Sequence, residues 1–408
     1  MASLFPSRYV QGYDAIKGLG AELAHFGRRP VLIGGRFVRE ELLPDLEAGL
    51  RETVTATWIP FGGECCDAEL ARLAVLAIEE GADVIVGVGG GKAVDAAKAV
   101  GEALHLPVAA VPTIASTDAP CNARVLMHSP EGRVDRWLRL ERDPSLVVVD
   151  TRIIARAPVR FLVSGMGNAL GTSFEAESGR RRHAVSAVGA VGTSAAFAVA
   201  RMCFEILMEQ GGLARTACEA DTATPALEHV VEANILLSGL GYESGGMGAI
   251  HAICTGLKSA PRAYLCSHGE MMALASLASL FLTEQSYWRV DRVFAFCENV
   301  GLPTTLEDIG LGESCHDSGS CHSESQHAWW HGGGLMRCAE VACADGRGLL
   351  SSEMGMVTPV DVHAALLAAS QEGGRRRSLM PKGAALHGRL QRNETDRRHP
   401  LEFRRSLS

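Results

Sequence analysis

The 408-residue chain contains no run of about 18 or more uncharged apolar residues, so a membrane-spanning helix is excluded. Its first residues, MASLFPSRYVQGYD, have neither a basic n-region nor an apolar h-region. Secretion is therefore not expected, and a cytoplasmic location is. Positive charge is not in excess either. Lys and Arg number 39 against 47 Asp and Glu, a net charge of −8 that argues against nucleic-acid binding by the body of the protein. The twelve cysteines would suit a disulfide framework only in a much shorter secreted chain. Cys203 and Cys297 lie in apolar helical surroundings and read as reduced core thiols. A P-loop is also missing, because its first glycine would have to stand at Val86 and Ala93 takes the place of the Ser or Thr.

What is present is a composition of 47% hydrophobic and 21% charged residues, ordinary for a soluble globular protein and long enough for two domains. The charge is unevenly spread. Residues 375–408 are strongly basic and lack apolar periodicity, so this tail is expected to be solvated rather than packed. Residues 312–334 are rich in Ser, Gly and His and hold Cys315, Cys321, His327 and His331. The intervals between them are too short for the usual zinc finger, and the stretch reads as an inserted loop.

The first half alternates short apolar runs with helical spacing. Strands are expected at 30–34, 56–60, 84–86, 106–111 and 146–150, with helices at 39–50, 68–80 and from about Ala93. Strands buried on both faces and alternating with helices mean a parallel sheet in an α/β domain. The turn Gly87-Val88-Gly89-Gly90-Gly91-Lys92 joins a strand to a helix, where glycines let a backbone approach a pyrophosphate and the helix N-terminus offers N–H donors. A purely structural turn is the competing reading. The next strand ends in PTIASTDAPCNA, whose Thr113, Ser116 and Thr117 could meet ribose or phosphate and whose Asp118 could face a substrate. A helix-capping cluster explains the same residues locally. Beyond Phe161 the chain becomes helical and alanine-rich, at 167–208, 224–240 and 271–283.

Residues 241–270 place His251 and His268 seventeen residues apart, each in a small-residue helical context, with Pro261 in the loop between. Two imidazoles so joined can bind a divalent metal if a third ligand arrives from elsewhere. Two helix-end histidines bonded to backbone are the alternative. Glu270 could orient His268.

Several stretches resemble the glycerol dehydrogenase branch of the iron-containing alcohol dehydrogenase family: PSRYVQG, GGGKAVDAAKAV, VPTIASTDAPCNA, LVVVDTRIIARAPVRFLVSGMGNAL, TPALEHVVEANILLSG and YESGGMGAIHAI. The resemblance runs from about residue 6 to 312 and resumes at about 335–374. It implies a dehydroquinate synthase-like fold, with a Rossmann-like α/β domain (1–161) followed by an all-α metal and substrate domain (162–374, with the insert) and the basic tail. It further implies NAD, zinc or another divalent metal, a small polyol substrate such as glycerol, and a homo-oligomer. Carried over residue by residue, it assigns the dinucleotide to Gly91, Lys92, Ala93, Val94, Asp95, Thr113, Ile114, Ala115 and Ser116, and to Asn122, Arg124 and His128. It assigns catalysis to Asp118, His251 and His268, with Asp118 on the glycerol, and the metal to Asn168, His251 and His268.

Four departures from the family's pattern stand out. Asn168 replaces the Asp of GMGDAL, exchanging a carboxylate for a neutral amide. Gly35, followed by Arg36, replaces the acidic residue that would meet the adenosine ribose, so NADP becomes possible beside NAD. Asn122, Arg124 and His128 stand where Ser, Leu and Tyr are usual, and Cys254 replaces the second His of HAIHNG. Cys254 reads as a substitute ligand, an oxidation-sensitive thiol or a core cysteine. Two functions follow: a metal- and NAD(P)-dependent polyol dehydrogenase, or a homologue keeping the fold without its activity.

Overall fold

The computed structural model describes residues 1–50, 52–261, 265–311, 333–345 and 357–379. They divide into two compact units. The sheet unit comprises Leu4–Leu162 and Thr216–Gly239; the helical unit comprises Met1–Ser3, Val163–Arg215 and the described residues from Leu240 onward. The α/β and all-α organisation expected from the sequence is present, with one correction. Thr216–Gly239, assigned above to the helical domain, belongs with the sheet.

Eight strands lie in the sheet unit: β1 (Tyr9–Gly12), β2 (Pro30–Gly34), β3 (Thr57–Pro60), β4 (Val84–Gly89), β5 (Val108–Pro112), β6 (Arg124–His128), β7 (Val134–Arg139) and β8 (Leu146–Asp150). Six of them form a parallel sheet in the order β1-β8-β5-β4-β2-β3. Its helices are α1 (Leu19–Leu23), α2 (Leu43–Leu50), α3 (Asp67–Glu79), α4 (Gly91–Leu104), α5 (Thr151–Arg156) and α8 (Pro225–Glu232). Strands β2, β4 and β8 are buried at every position, which is why they read as continuous apolar runs. Side chains alternate between the faces: Val84, Val86 and Val88 join one core with α1 and α2, whereas Ile85 joins the other with α3 and α4. The chain leaves β2 on one face and β4 on the other. That reversal opens a crevice at the carboxyl ends of these strands, where open α/β sheets bind ligands.

Strands β6 and β7 form a separate antiparallel hairpin with an irregularity between Met127 and His128. The sequence reading missed it, because the polar, exposed Val134–Arg139 carries no apolar run. Helix α3 begins after Cys66, an extended N-cap residue whose side chain makes no capping hydrogen bond. Cys66→Ser would supply that acceptor. It is expected to stabilise the protein by about 1 kcal/mol, measured as an increase in the urea unfolding free energy.

The helical unit is built from α6 (Val159–Arg181), α7 (Ser194–Glu219), α9 (Ser238–Gly245), α10 (Ala249–Lys258), α11 (His268–Leu282), α12 (Tyr287–Val300), α13 (Gly334–Asp345) and α14 (Pro359–Leu379), the first three mostly within it. The single helical stretch expected at 167–208 is two helices. Between them lies a turn containing the bridge Val185–Val191, with His183 and Gly189 at positive φ. The basic tail is also partly corrected. Arg375–Leu379 end α14, where Arg376 pairs with Glu298 and Asp291 at 2.8 and 2.6 Å and Arg377 pairs with Asp308. The rest of the tail and residues 312–332 of the insert lie outside the described residues. All ten described cysteines are free thiols, Cys203 and Cys297 among the buried ones. No described helix is long and apolar enough to cross a membrane.

Candidate active site

In the helical unit, Ser164, Gly167, Asn168, Gly171 and Glu175 recur on α6 at intervals of three and four and so share one stripe. Small residues let other backbones approach it. A methyl group on Gly167 would collide with the Gly269 carbonyl oxygen, and one on Gly171 would crowd Ile250 at 3.2 Å. The stripe thus brings together the first turns of α10 and α11, which carry His251 and His268, with Asn168 buried at 6% exposure between its two glycine contacts.

Each imidazole is held at Nδ1. The Glu175 carboxylate, 2% exposed, lies 2.6 Å from His251 Nδ1 through Oε2. Its Oε1 accepts from the backbone N–H groups of Gly248 and His251, both at 2.9 Å, doing for α10 what the side-chain-less N-cap Gly248 cannot. Tyr242 lies over the His251 ring, with centroids 4.9 Å apart. His268 Nδ1 is 3.6 Å from Cys254 Sγ. Burial pushes the His268 imidazole well below its usual range, with smaller contributions from Lys258 and His251, and it pushes the Cys254 thiol up to about 11. His268 is therefore neutral at physiological pH, and Cys254 is a protonated thiol able to donate to it. The centroids of the two rings stand 6.4 Å apart.

Glu270 does not orient His268 as expected. It closes a capping box: Ser267 Oγ accepts from Glu270 N–H at 3.2 Å, and Glu270 Oε2 accepts from Ser267 N–H at 2.7 Å. Among the described residues no group of three or more His, Cys, Asp and Glu gathers to hold a metal. The donors that α6, α10 and α11 offer are two imidazoles and an amide oxygen. Those atoms fit a borderline divalent cation, and none of them carries a charge.

In the sheet unit, β4 runs through Gly89, at φ +147°, into the extended N-cap Gly90 and then α4. Gly87 lies where a side chain would meet Ala97 at 2.7 Å, so it sets the close packing of the helix on its strand. Gly91 has room: a methyl there would come no nearer than 3.6 Å to Thr117. Thr113 N–H bonds Gly89 O at 3.0 Å, tying the ends of β4 and β5 side by side. Lys92 donates to both oxygens of Glu64, at 2.7 and 2.6 Å. Burial, and next the Lys92 charge, push His128 below its usual range, and its buried Nδ1 has no hydrogen-bond partner among the described residues. Backbone donors, a cation and a neutral imidazole fit a dinucleotide pyrophosphate.

Other assigned residues turn inward. Ala93, Val94 and Ala115 are buried, and Ile114 is half-buried. The Asp95 carboxylate accepts from Leu126 N–H at 3.0 Å and pairs with Lys98 at 2.9 Å. Asn122 Oδ1 accepts from Arg124 N–H at 3.1 Å, and Asn122 Nδ2 donates to Asp118 Oδ1 at 3.2 Å. Asp95 and Asn122 thus brace the loop rather than present free groups to it. Asp118 is also held through Oδ2, which accepts from Ser238 Oγ at 3.0 Å. Sequence reasoning missed Lys98, whose ammonium donates to the carbonyls of Ala119, at 2.8 Å, and Arg124. Its signal was a charged pair at i, i+3 inside the otherwise apolar AVDAAKAV.

A parallel sheet with a glycine turn at its crevice, followed by a helical unit carrying a histidine pair, defines a class of dehydrogenase fold. The model of the iron-containing alcohol dehydrogenase family matches residues 6–151. The chain is 47% identical to the glycerol dehydrogenase of Thermotoga maritima, over 92% of this chain and 99% of that protein. To that of Escherichia coli it is 40% identical, over 91% and 96%. A probable glycerol dehydrogenase structure from Sinorhizobium meliloti superposes with a TM-score of 0.80 at 36% identity, covering 93% of this chain and 99% of that one. The chain belongs to the iron-containing alcohol dehydrogenase family.

Proposed function

We propose that the protein oxidises glycerol, or a closely related small polyol, using a nicotinamide dinucleotide as hydride acceptor. The observation that carries this reading is the imidazole pair, each ring fixed at Nδ1, in a chain so similar to glycerol dehydrogenases. A hydride passes from the carbinol carbon to the nicotinamide, and the hydroxyl proton leaves to solvent, giving a carbonyl product. His251, His268 and Asn168 would hold a divalent metal, which when bound supplies Lewis acidity toward the substrate hydroxyl. In the sheet unit, the Asp118 carboxylate accepts from Ser238 and Asn122 and is of a kind to accept from a hydroxyl group as well. The first turn of α4, Lys92 and His128 receive the pyrophosphate. No observation favours a homologue that keeps the fold without the chemistry. A cytoplasmic homo-oligomer completes the proposal; its size is read by light scattering.

Zinc-loaded protein with glycerol should raise absorbance at 340 nm with NAD or NADP, and chelation should abolish the rate. No change with either dinucleotide would overturn the reading. The loop after β2 refines the expectation. Gly35 offers no carboxylate, and Arg36 pairs with Glu40 at 2.7 Å, its side chain 78% exposed. NADP should therefore be accepted, and Gly35→Asp should shift preference toward NAD by about tenfold or more in kcat/KM. Equal kcat/KM ratios in both proteins would show that this loop does not read the 2′ position.

A further inference from the structure

We propose that Glu175 is a positioning residue that supplies, through His251, the negative charge a divalent ion lacks among its own ligands at this site. The inference rests on the metal-site reading above. The donor set of Asn168, His251 and His268 is neutral, so a bound dication would sit uncompensated in a partly buried setting. The carboxylate in direct contact with an imidazole of the pair is Glu175, 2.6 Å from His251 Nδ1. His268 Nδ1 faces instead the Cys254 sulfur at 3.6 Å, so the two rings are not equivalent.

The geometry makes the Glu175 contact directional. Its Oε1 is committed to two backbone N–H groups, which leaves Oε2 as an acceptor for Nδ1–H. Nδ1 then carries the proton, and the Nε2 lone pair points away from Glu175. Hydrogen bonding to a carboxylate also increases electron density at that lone pair. Glutamine of the same shape cannot do both jobs. If its oxygen stays on the backbone N–H groups, its NH2 faces Nδ1, demands an acceptor there and moves the proton to Nε2. If it flips, its NH2 opposes two N–H donors. Either way, one contact is lost without removing volume.

The same helix provides the comparison. Asn168 lies seven residues, two turns, before Glu175 on the α6 stripe, so Asn168→Asp would place a carboxylate on the ion directly. With charge supplied there, Glu175 should matter less.

The test uses the full chain stripped by a chelator and titrated with Co2+, read by the visible d–d bands and by metal retained after gel filtration. Glu175→Gln should weaken Co2+ binding by about 10–100-fold in the natural chain, but by only about threefold in the Asn168→Asp chain. Metal-free melting should fall by the same amount in both backgrounds, so the unequal loss of Co2+ affinity is separated from a structural one. Unchanged Co2+ affinity, or an equal loss in both backgrounds, would overturn the proposal. If the parent binds no Co2+ but Asn168→Asp does, Glu175 does not compensate, although the histidine pair is a metal site. If neither binds, the metal-site reading itself falls. Should Glu175→Gln fail to fold, Glu175→Asp, which keeps the charge but withdraws it by one methylene, takes its place. A larger loss in the natural chain than in the chain that also carries Asn168→Asp supports the role, and equal losses refute it.

Discussion

Lys98→Met is expected to cost about 3–5 kcal/mol of stability, because it strips the partner from a carboxylate that stays enclosed. Lys98 is 1% exposed, and its ammonium lies 2.9 Å from Asp95 while bonding the carbonyls of Ala119, Asn122 and Arg124. Methionine keeps most of the stem's volume and length, so the loss is one of charge and hydrogen bonds rather than of packing. Three carbonyls and the Asp95 carboxylate would be left short of a donor. The loop that carries Asp118 and Asn122 would lose its central post, and dinucleotide binding, followed by the fluorescence of the reduced cofactor, should weaken with stability. Adding Asp95→Leu should recover part of the loss by removing the orphaned charge. A single-variant cost below about 1 kcal/mol in urea unfolding would show that water reaches the site.

Gly269→Ala should be nearly as damaging, and through backbone rather than charge. The added methyl would overlap the Ser164 carbonyl oxygen, with the Ser164 carbonyl carbon and Cα at 2.5 and 2.8 Å. Neither is the movable end of a side chain, so α11 must shift away from α6. His268 precedes Gly269 in the same turn and would move with it. A destabilisation of about 1–3 kcal/mol or more is expected, together with loss of bound metal. A melting temperature and Co2+ spectrum like the parent's would show that α6 and α11 can separate without consequence.

These residues also mark where the sequence was legible. The sheet was readable because β2, β4, β5 and β8 are nearly unbroken apolar runs, and the Gly87–Gly91 turn announced the strand-to-helix junction. The histidine pair could be read from context, and the structure brings the two rings to 6.4 Å. The hairpin β6–β7 was not readable, because β7 is almost wholly exposed and polar and so carries no apolar run, although Val125 and Met127 of β6 join the core beside α3 and α4. Nor were the roles of acidic residues. Glu270 stands beside His268 in sequence, yet the cap at Ser267 claims it; Glu175 lies far from His251 in sequence, and the α6 stripe delivers it. The contact of Asn122 with Lys98 was not readable either, since Lys98 lies on α4, outside the loop that carries Asn122.

The two-part composition of the sheet unit bears on the order in which the chain can be made. Asn234 donates to the carbonyls of Ala115 and Leu162 at 3.1 and 3.0 Å, Glu228 accepts from Thr151 and Gln11, and Ser238 holds Asp118. All three partners are translated after Val163–Arg215, which belongs to the other unit. At about 5–20 residues per second, the sheet's loops wait several seconds on the ribosome for residues that complete them. During that interval the Ala115 carbonyl lacks its Asn234 donor and the Asp118 carboxylate lacks its Ser238 donor. A nascent chain arrested before Pro225 should accordingly be cut by protease near residues 113–122, and one arrested well beyond Gly239 should resist.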